Sequence, residues 1–173
     1  DDEITAMPNL VTVAATGTAV TVAGIPLYRG HASSIYTADV SGTDDTAVGN
    51  TAYGHEAMDA ITTGDDNTAV GYLSLSANTT GTNNVAVGKD ALDSNTTGSS
   101  NVSVGVDSLQ GNVTGASNVA IGMQALKSNT ADANIAIGSG AAEANTSGVR
   151  NLTIGHDAYT ASDTENDNLA IGY

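Results

Sequence analysis

The chain has no cysteine, no phenylalanine and no tryptophan, and only four basic residues in a length of 173. Without cysteine there are no disulfides, thiolate metal sites or cysteine nucleophiles, although the redox compartment stays undetermined. Aromatic residues are 3% of the total, all of them tyrosine, and the apolar residues are mostly Ala and Val. Such side chains do not fill a wide globular interior at normal packing density, so a thin core is expected. Arg29, Lys89, Lys127 and Arg150 stand against nineteen acidic residues, a net charge of −15. That charge disfavours nucleic acid and anionic membrane surfaces as partners. No apolar run approaches the roughly 20 residues of a bilayer span, so membrane insertion is not expected. Asp1-Asp2-Glu3 is neither a basic leader nor an initiator, and the chain reads as something other than an intact precursor. Charged residues make up only 13%, which is also not the composition of a disordered chain.

What the sequence does have is a repeat. The phrase Asn-aliphatic-small-aliphatic-Gly, with Thr68 at the first aliphatic position of the first copy, occurs at Asn67 to Gly71, Asn84 to Gly88, Asn101 to Gly105, Asn118 to Gly122, Asn134 to Gly138, Asn151 to Gly155 and Asn168 to Gly172. The steps from each of these glycines to the next are 17, 17, 17, 16, 17 and 17. Asp45 to Gly49 reads as an eighth copy, separated from the first by a longer step of 22 that contains a local duplication. Behind the glycines comes Gly-x-x-small-apolar, as in Gly88-Lys89-Asp90-Ala91-Leu92, and then a polar turn such as Asn95-Thr96-Thr97-Gly98.

A unit this short cannot hold a helical repeat, and its apolar residues alternate with period two. Short Val- and Ile-rich stretches bounded by Asn and Gly predict one β-solenoid coil per unit. Within each strand phrase the two aliphatics share a face and the middle residue points the other way. The aliphatic face (Val85 and Val87, Val102 and Val104, Val119 and Ile121, and their equivalents) is expected to stack into the narrow core. The opposite face carries Ala86, Ser103, Ala120, Ala136, Thr153 and Ala170, and the period leaves open whether it meets solvent or a second surface. The glycines are expected at corners of positive φ, where Asn is the next most tolerant residue, and Asn in register also forms amide ladders.

Residues 1–43 lack the repeat and are expected to form a separate β element. Leu10 to Ala14 and Ala19 to Ala23 read as a hairpin, and Gly24 to Gly30 as a breaker around Pro26. The array of about eight coils then occupies residues 44–173 and is expected to continue beyond Tyr173, since no capping unit is evident.

No catalytic constellation is present, and no enzyme activity, cofactor or metal is expected. His55 and His156 share a slot that also accepts Tyr72, Lys89, Val106, Met123 and Ser139, as a solvent-facing slot does. Asp90 and Asp107, on adjacent coils, are the minor candidate for weak cation binding, against a plain solvated acidic face. Glycosylation sequons such as Asn78-Thr79-Thr80 recur because the turn recurs. The exposed turns around Thr79, Thr96, Thr130 and Thr146 are the candidate binding positions.

Asn118-Val119-Ala120-Ile121-Gly122 resembles the head repeat of YadA-type trimeric autotransporter adhesins. The longer unit Thr80 to Leu92 is similar to repeats of phage tail-fibre-like proteins. The resemblance spans residues 44–173, and it implies a left-handed parallel β-roll, three chains side by side in a homotrimeric rod, and a surface attachment role. Eight coils would give ~38 Å of rod at the inter-strand spacing. Adhesin heads mostly use shorter units of about 14 residues, so the extra residues in the Thr-Thr-Gly turn are expected to protrude. The expected setting is a virion tail fibre, with fibre or baseplate proteins at its ends and a host-surface glycan or protein as receptor. The alternatives are a bacterial surface adhesin head and, less favoured, an ice- or glycan-lattice binder.

Overall fold

A computed structural model describes the backbone of residues 20–22, 25–27 and 35–36 and all of residues 46–160 and 164–173. The described residues are all-β, with eleven short strands among them. Strands β1 (Val20–Val22) and β2 (Ile25–Leu27) form an antiparallel pair with Val22 opposite Ile25. The Gly24–Gly30 segment is therefore not simply a breaker. Pro26 lies opposite Thr21, the middle pair of the three, a place that a residue without an N–H takes in an edge strand or at a non-hydrogen-bonded pair. Leu10 to Ala14 lies outside the described residues.

The remaining strands form one nine-stranded parallel sheet in strict sequence order. They are β3 (Ile35–Tyr36), β4 (Thr51–Tyr53), β5 (Thr68–Val70), β6 (Val85–Val87), β7 (Val102–Val104), β8 (Val119–Ile121), β9 (Ile135–Ile137), β10 (Leu152–Ile154) and β11 (Leu169–Ile171). Each unit contributes one strand, and the chain returns to it one coil later, which makes the molecule a β-solenoid of 17-residue coils. β3 enters this sheet ahead of residue 44, where the repeat first becomes readable.

The register changes the reading of the first copy. β4 pairs with β5 as Thr51↔Thr68 and Tyr53↔Val70, so Asn50-Thr51-Ala52-Tyr53-Gly54 is the strand phrase, one regular coil before Asn67 to Gly71. Of the Asp45 to Gly49 copy, the described residues Thr46 to Gly49 belong to the preceding turn, where Val48 N–H donates to the Asp65 carboxylate at 2.8 Å. The long first coil does not exist. The similarity of Thr-Ala-Val-Gly and Thr-Ala-Tyr-Gly hides which one pairs.

The largest departure from expectation is the orientation of the strands. Their middle residues, Ala69, Ala86, Ser103, Ala120, Ala136 and Thr153, are fully buried, while the flanking aliphatics are half-buried or exposed. The expected core face is the outer face. The physical reason is width, because the opposite wall of the coil supplies Leu75, Leu92, Leu109 and Leu126, all fully buried. Beneath that leucine ladder there is space only for Ala, Ser or Thr, and a second large aliphatic column would overfill the interior. Apolar character alone does not specify inside, since folded proteins leave much apolar surface exposed.

These leucines sit in turns at φ near +50°, a backbone state that costs a non-glycine residue about 1–2 kcal/mol. Complete burial of a leucine returns about 1.5–3 kcal/mol, so the strained turn is offset by what it delivers to the interior. The glycine corners meet a stricter demand. Gly105 has φ +139°, and a Cβ built there would fall 2.5 Å from the carbonyl oxygen of Gly122 on the next coil. The Asn residues of the strand phrase do not occupy positive-φ corners. The residue before each does (Asn83, Ser100, Ser117, Ala133, Arg150), and the Asn side chain turns inward.

Candidate functional site

Two surfaces are presented by every coil, the outer strand face and the polar turn wall, and the interior Asn columns hold both in place. Asn101 illustrates the first column. Its Oδ1 accepts from the backbone N–H of Asn118 at 2.9 Å, and its Nδ2 donates to the Gly115 carbonyl at 2.9 Å and to Asn84 Oδ1 at 3.2 Å. The N–H-to-Oδ1 link repeats from Asn50 through Asn67, Asn84, Asn118, Asn134 and Asn151 to Asn168. Asn78, Asn95, Asn112, Asn129 and Asn145 form a second, parallel column. Asn95 donates to Asn78, Asn112 to Asn95 and Asn145 to Asn129. Its positions were legible as turn residues, and the coil-by-coil recurrence of Asn was the available signal for their burial. The sequon asparagines Asn78, Asn95, Asn101, Asn112, Asn145 and Asn151 are all buried with Nδ2 or Oδ1 engaged inside, so the folded coil presents none of them to a transferase.

The corner glycines Gly71, Gly88, Gly105, Gly122, Gly138, Gly155 and Gly172 all have φ between +130° and +146°. From Gly71 through Gly155 they form a column in which each corner lies against the carbonyl of the next. They are structural positions and expose no ligand group.

On the turn wall, the candidate threonines are mostly occupied. The hydroxyls of Thr62, Thr79, Thr96 and Thr130 each donate to the carbonyl of the equivalent residue one coil on, at 2.9–3.1 Å. This ties each turn to the next along the rod axis. Thr146, at the same position of the following coil, is exposed.

The outer strand face is apolar from Val70 onward, with Thr51 and Thr68 in its first two coils. Tyr53, Val70, Ile121, Ile135 and Ile137 are exposed, with Val85, Val87, Val102, Val104, Leu152 and Ile154 half-buried between them. The column behind the corner glycine widens it with Tyr72, Val106 and Met123, the last 52% exposed. In a chain of net charge −15, these columns hold no acidic residue between Thr51 and Met123. Their one formal charge there is Lys89, which is hydrogen-bonded to Asp90, and that contact raises the Lys89 pKa. His55 stacks on Tyr72 and His156 on Tyr173, each pair bridging consecutive coils.

Other charges are used locally. Asp90 is nearly buried beneath Lys89 and is no part of an open acidic edge, while Asp107 faces Lys127 at 3.8 Å. Arg150 forms a bidentate pair with Asp167 on the next coil, at 2.6 and 2.8 Å. Among the described residues no group of three or more His, Asp or Glu side chains is arranged to hold a metal ion, and no helix is long and apolar enough to cross a membrane. Compared with known proteins, the chain matches no family model, no curated protein and no solved structure.

Proposed function

We propose that this chain is a structural and attachment segment of a homotrimeric fibre, a rod that projects from a virion and engages a host surface. The observation that carries the reading is the continuous aliphatic outer face. An exposed apolar stripe of this extent marks an interaction surface. Its occupant must match a ladder of Val and Ile recurring once per coil, over many coils, without meeting a charge of the opposite sign. A second copy of the same chain meets that requirement, because it carries the same repeat over the same length. A globular partner or a small ligand would match only a fragment of it. Side-by-side copies would bury the stripe and leave the acidic turns outward, where their mutual repulsion is smallest.

Such an assembly acts by geometry. A stiff rod presents identical surfaces in several copies, and linked weak contacts raise avidity without any strong single site. The turn wall, where Thr130 and Thr146 are exposed, is the surface left to meet a receptor. Spending the Thr79, Thr96 and Thr130 hydroxyls on the rod itself weakens the lattice-binding alternative, which needs them free.

Light scattering tests the assembly. Three chains of 17.1 kDa give about 51 kDa. Val104→Asp combined with Ile121→Asp on the outer face is expected to give single chains with unchanged β circular dichroism. A wild-type mass of 17.1 kDa would refute the multivalent mechanism. Immunogold decoration of virion fibres supports the fibre setting, and decoration of bacterial cell surfaces replaces it with the adhesin.

A further inference from the structure

One fully described coil of the rod departs from the 17-residue spacing. Between Asn129 and Asn134 there are five residue steps, where Asn78 to Asn84, Asn95 to Asn101, Asn112 to Asn118 and Asn145 to Asn151 each have six. The missing residue is in the turn. In the regular coils the second-column Asn donates to the carbonyl of a glycine three residues on (Gly81, Gly98, Gly115, Gly148), whereas Asn129 reaches only Ala131, two residues on.

This shortening interrupts the turn wall at one level. In the coils before it, each turn gives at least two backbone N–H groups to one carbonyl of the next turn: Thr62, Thr63 and Gly64 to Thr79, Thr79 and Thr80 to Thr96, Thr96 and Thr97 to Val113. At the next level Val113 and Thr114 make no such bond to Thr130, and at the level after it one of the two returns, Thr130 to Thr146 at 2.9 Å. Val113 has replaced the threonine whose hydroxyl makes the same link in neighbouring coils. The amide ladder stops there as well, since Asn129 does not donate to Asn112, and Asn112 Oδ1 is left buried without a partner. On the opposite wall nothing is lost, for β7 and β8 pair in full register and Gly122 N–H reaches the Val104 carbonyl at 2.8 Å.

We infer that Asn112 to Gly115 and the facing turn Asn129 to Asp132 form a compliant seam, the level at which the rod opens first. The argument is independent of the fibre reading and holds for a single chain. Four interactions that recur at the levels before it are absent together, and they are absent on one wall only. Opening there bends the stack about the intact sheet instead of severing it. Gly111 N–H to the Lys127 carbonyl at 2.7 Å and Ala116 N–H to Asp132 Oδ1 at 2.7 Å are the first bonds on either side of the seam, the ones that an opening of the turn strains first. Local openings of this kind are drawn from the regions with the fewest interactions.

Native-state hydrogen exchange on the full chain tests this, read at flanking amides that are themselves hydrogen-bonded. After correction for intrinsic rates, Gly111 and Ala133 are expected to exchange about tenfold faster than their equivalents one coil earlier, Ser94 and Ser117. Insertion of one glycine between Ala131 and Asp132, which restores the Asn-x-x-Gly spacing, is expected to bring the four rates together and raise the melting temperature. The same insertion between Gly115 and Ala116, in a turn of regular length, is expected to lower it. Equal protection of Gly111, Ala133, Ser94 and Ser117 in the wild-type chain would overturn the seam. A restored-length variant that folds with the rates still apart would do the same.

Discussion

Replacing Asn101 by alanine tests whether the buried amide column holds the coils together. The substitution removes four contacts, but their losses differ. The Gly115 carbonyl keeps the donor from Asn112 at 2.9 Å, and Asn84 Oδ1 keeps the backbone N–H of residue 101. The backbone N–H of Asn118 keeps nothing, because Asn101 Oδ1 is its acceptor and the site is fully buried. One orphaned buried donor costs about 1–3 kcal/mol, and each of the other side-chain bonds contributes about 0.5–1.5 kcal/mol net. With a small cavity added, the expected destabilisation is about 3–6 kcal/mol, several times the effect of Ser100→Ala next door, which is exposed and should stay within about 0.5 kcal/mol. Because repeat arrays need not unfold in one step, the primary assay is hydrogen exchange at the Asn118 amide, supported by urea denaturation followed by circular dichroism. The amide should lose most of its protection while Thr51 and Ile154, on distant coils, change little. Full protection at Asn118, or a loss below about 1 kcal/mol, would refute the view that the amide column binds the coils.

Gly105→Ala should prevent native stacking at the β7–β8 level, since the new Cβ meets the Gly122 carbonyl at a φ that L-residues rarely adopt; a melting temperature within a few degrees of wild type would contradict the corner geometry. Ala120→Leu should be more damaging than Ile121→Ala in thermal melts of a single-chain form, because residue 120 lies beneath the leucine wall and residue 121 lies outside it. Deletion of residues 89–105, one whole unit, should yield a shorter folded solenoid, checked by circular dichroism and cooperative melting. Asp167 should titrate below the ordinary carboxylate range because of its hydrogen bonds to Arg150. Its folded pKa is depressed, so its contribution is complete above the unfolded value near 3.8 and fades as pH falls through the folded value. Carboxyl carbon shifts measured by NMR would show it, and Arg150→Gln should return the titration to the ordinary range.

The period, the strand phrase and the glycine corners were legible in the sequence because each is a local demand of the chain. A parallel coil must return to its start after a fixed number of residues, and a corner whose φ lies between +130° and +146° admits only glycine. Asn118-Val119-Ala120-Ile121-Gly122 therefore announces a coil of a β-solenoid without reference to anything distant. The short coil at Asn129 was also visible, as the one step of 16 among the seven strand phrases, but its consequence was not. Only the stack shows that Val113, Thr114 and Asn112 lose their partners to a deletion one coil further on.

What the tertiary structure alone decided is which side of the strand is inside. Alternation separates Val119 and Ile121 from Ala120, but it carries no sign. The sign comes from the volume left by the facing wall, where Leu109 and Leu126 already fill the interior. The same is true of the first copy, since Asp45 to Gly49 and Asn50 to Gly54 are near-equivalent strings until one of them pairs with Thr68 to Val70. The sequence thus determined the repeat and its coil, through local geometry. Packing across the coil turned the small residues inward and left the aliphatic ladder facing out, because an interior one leucine wide has no room for a second.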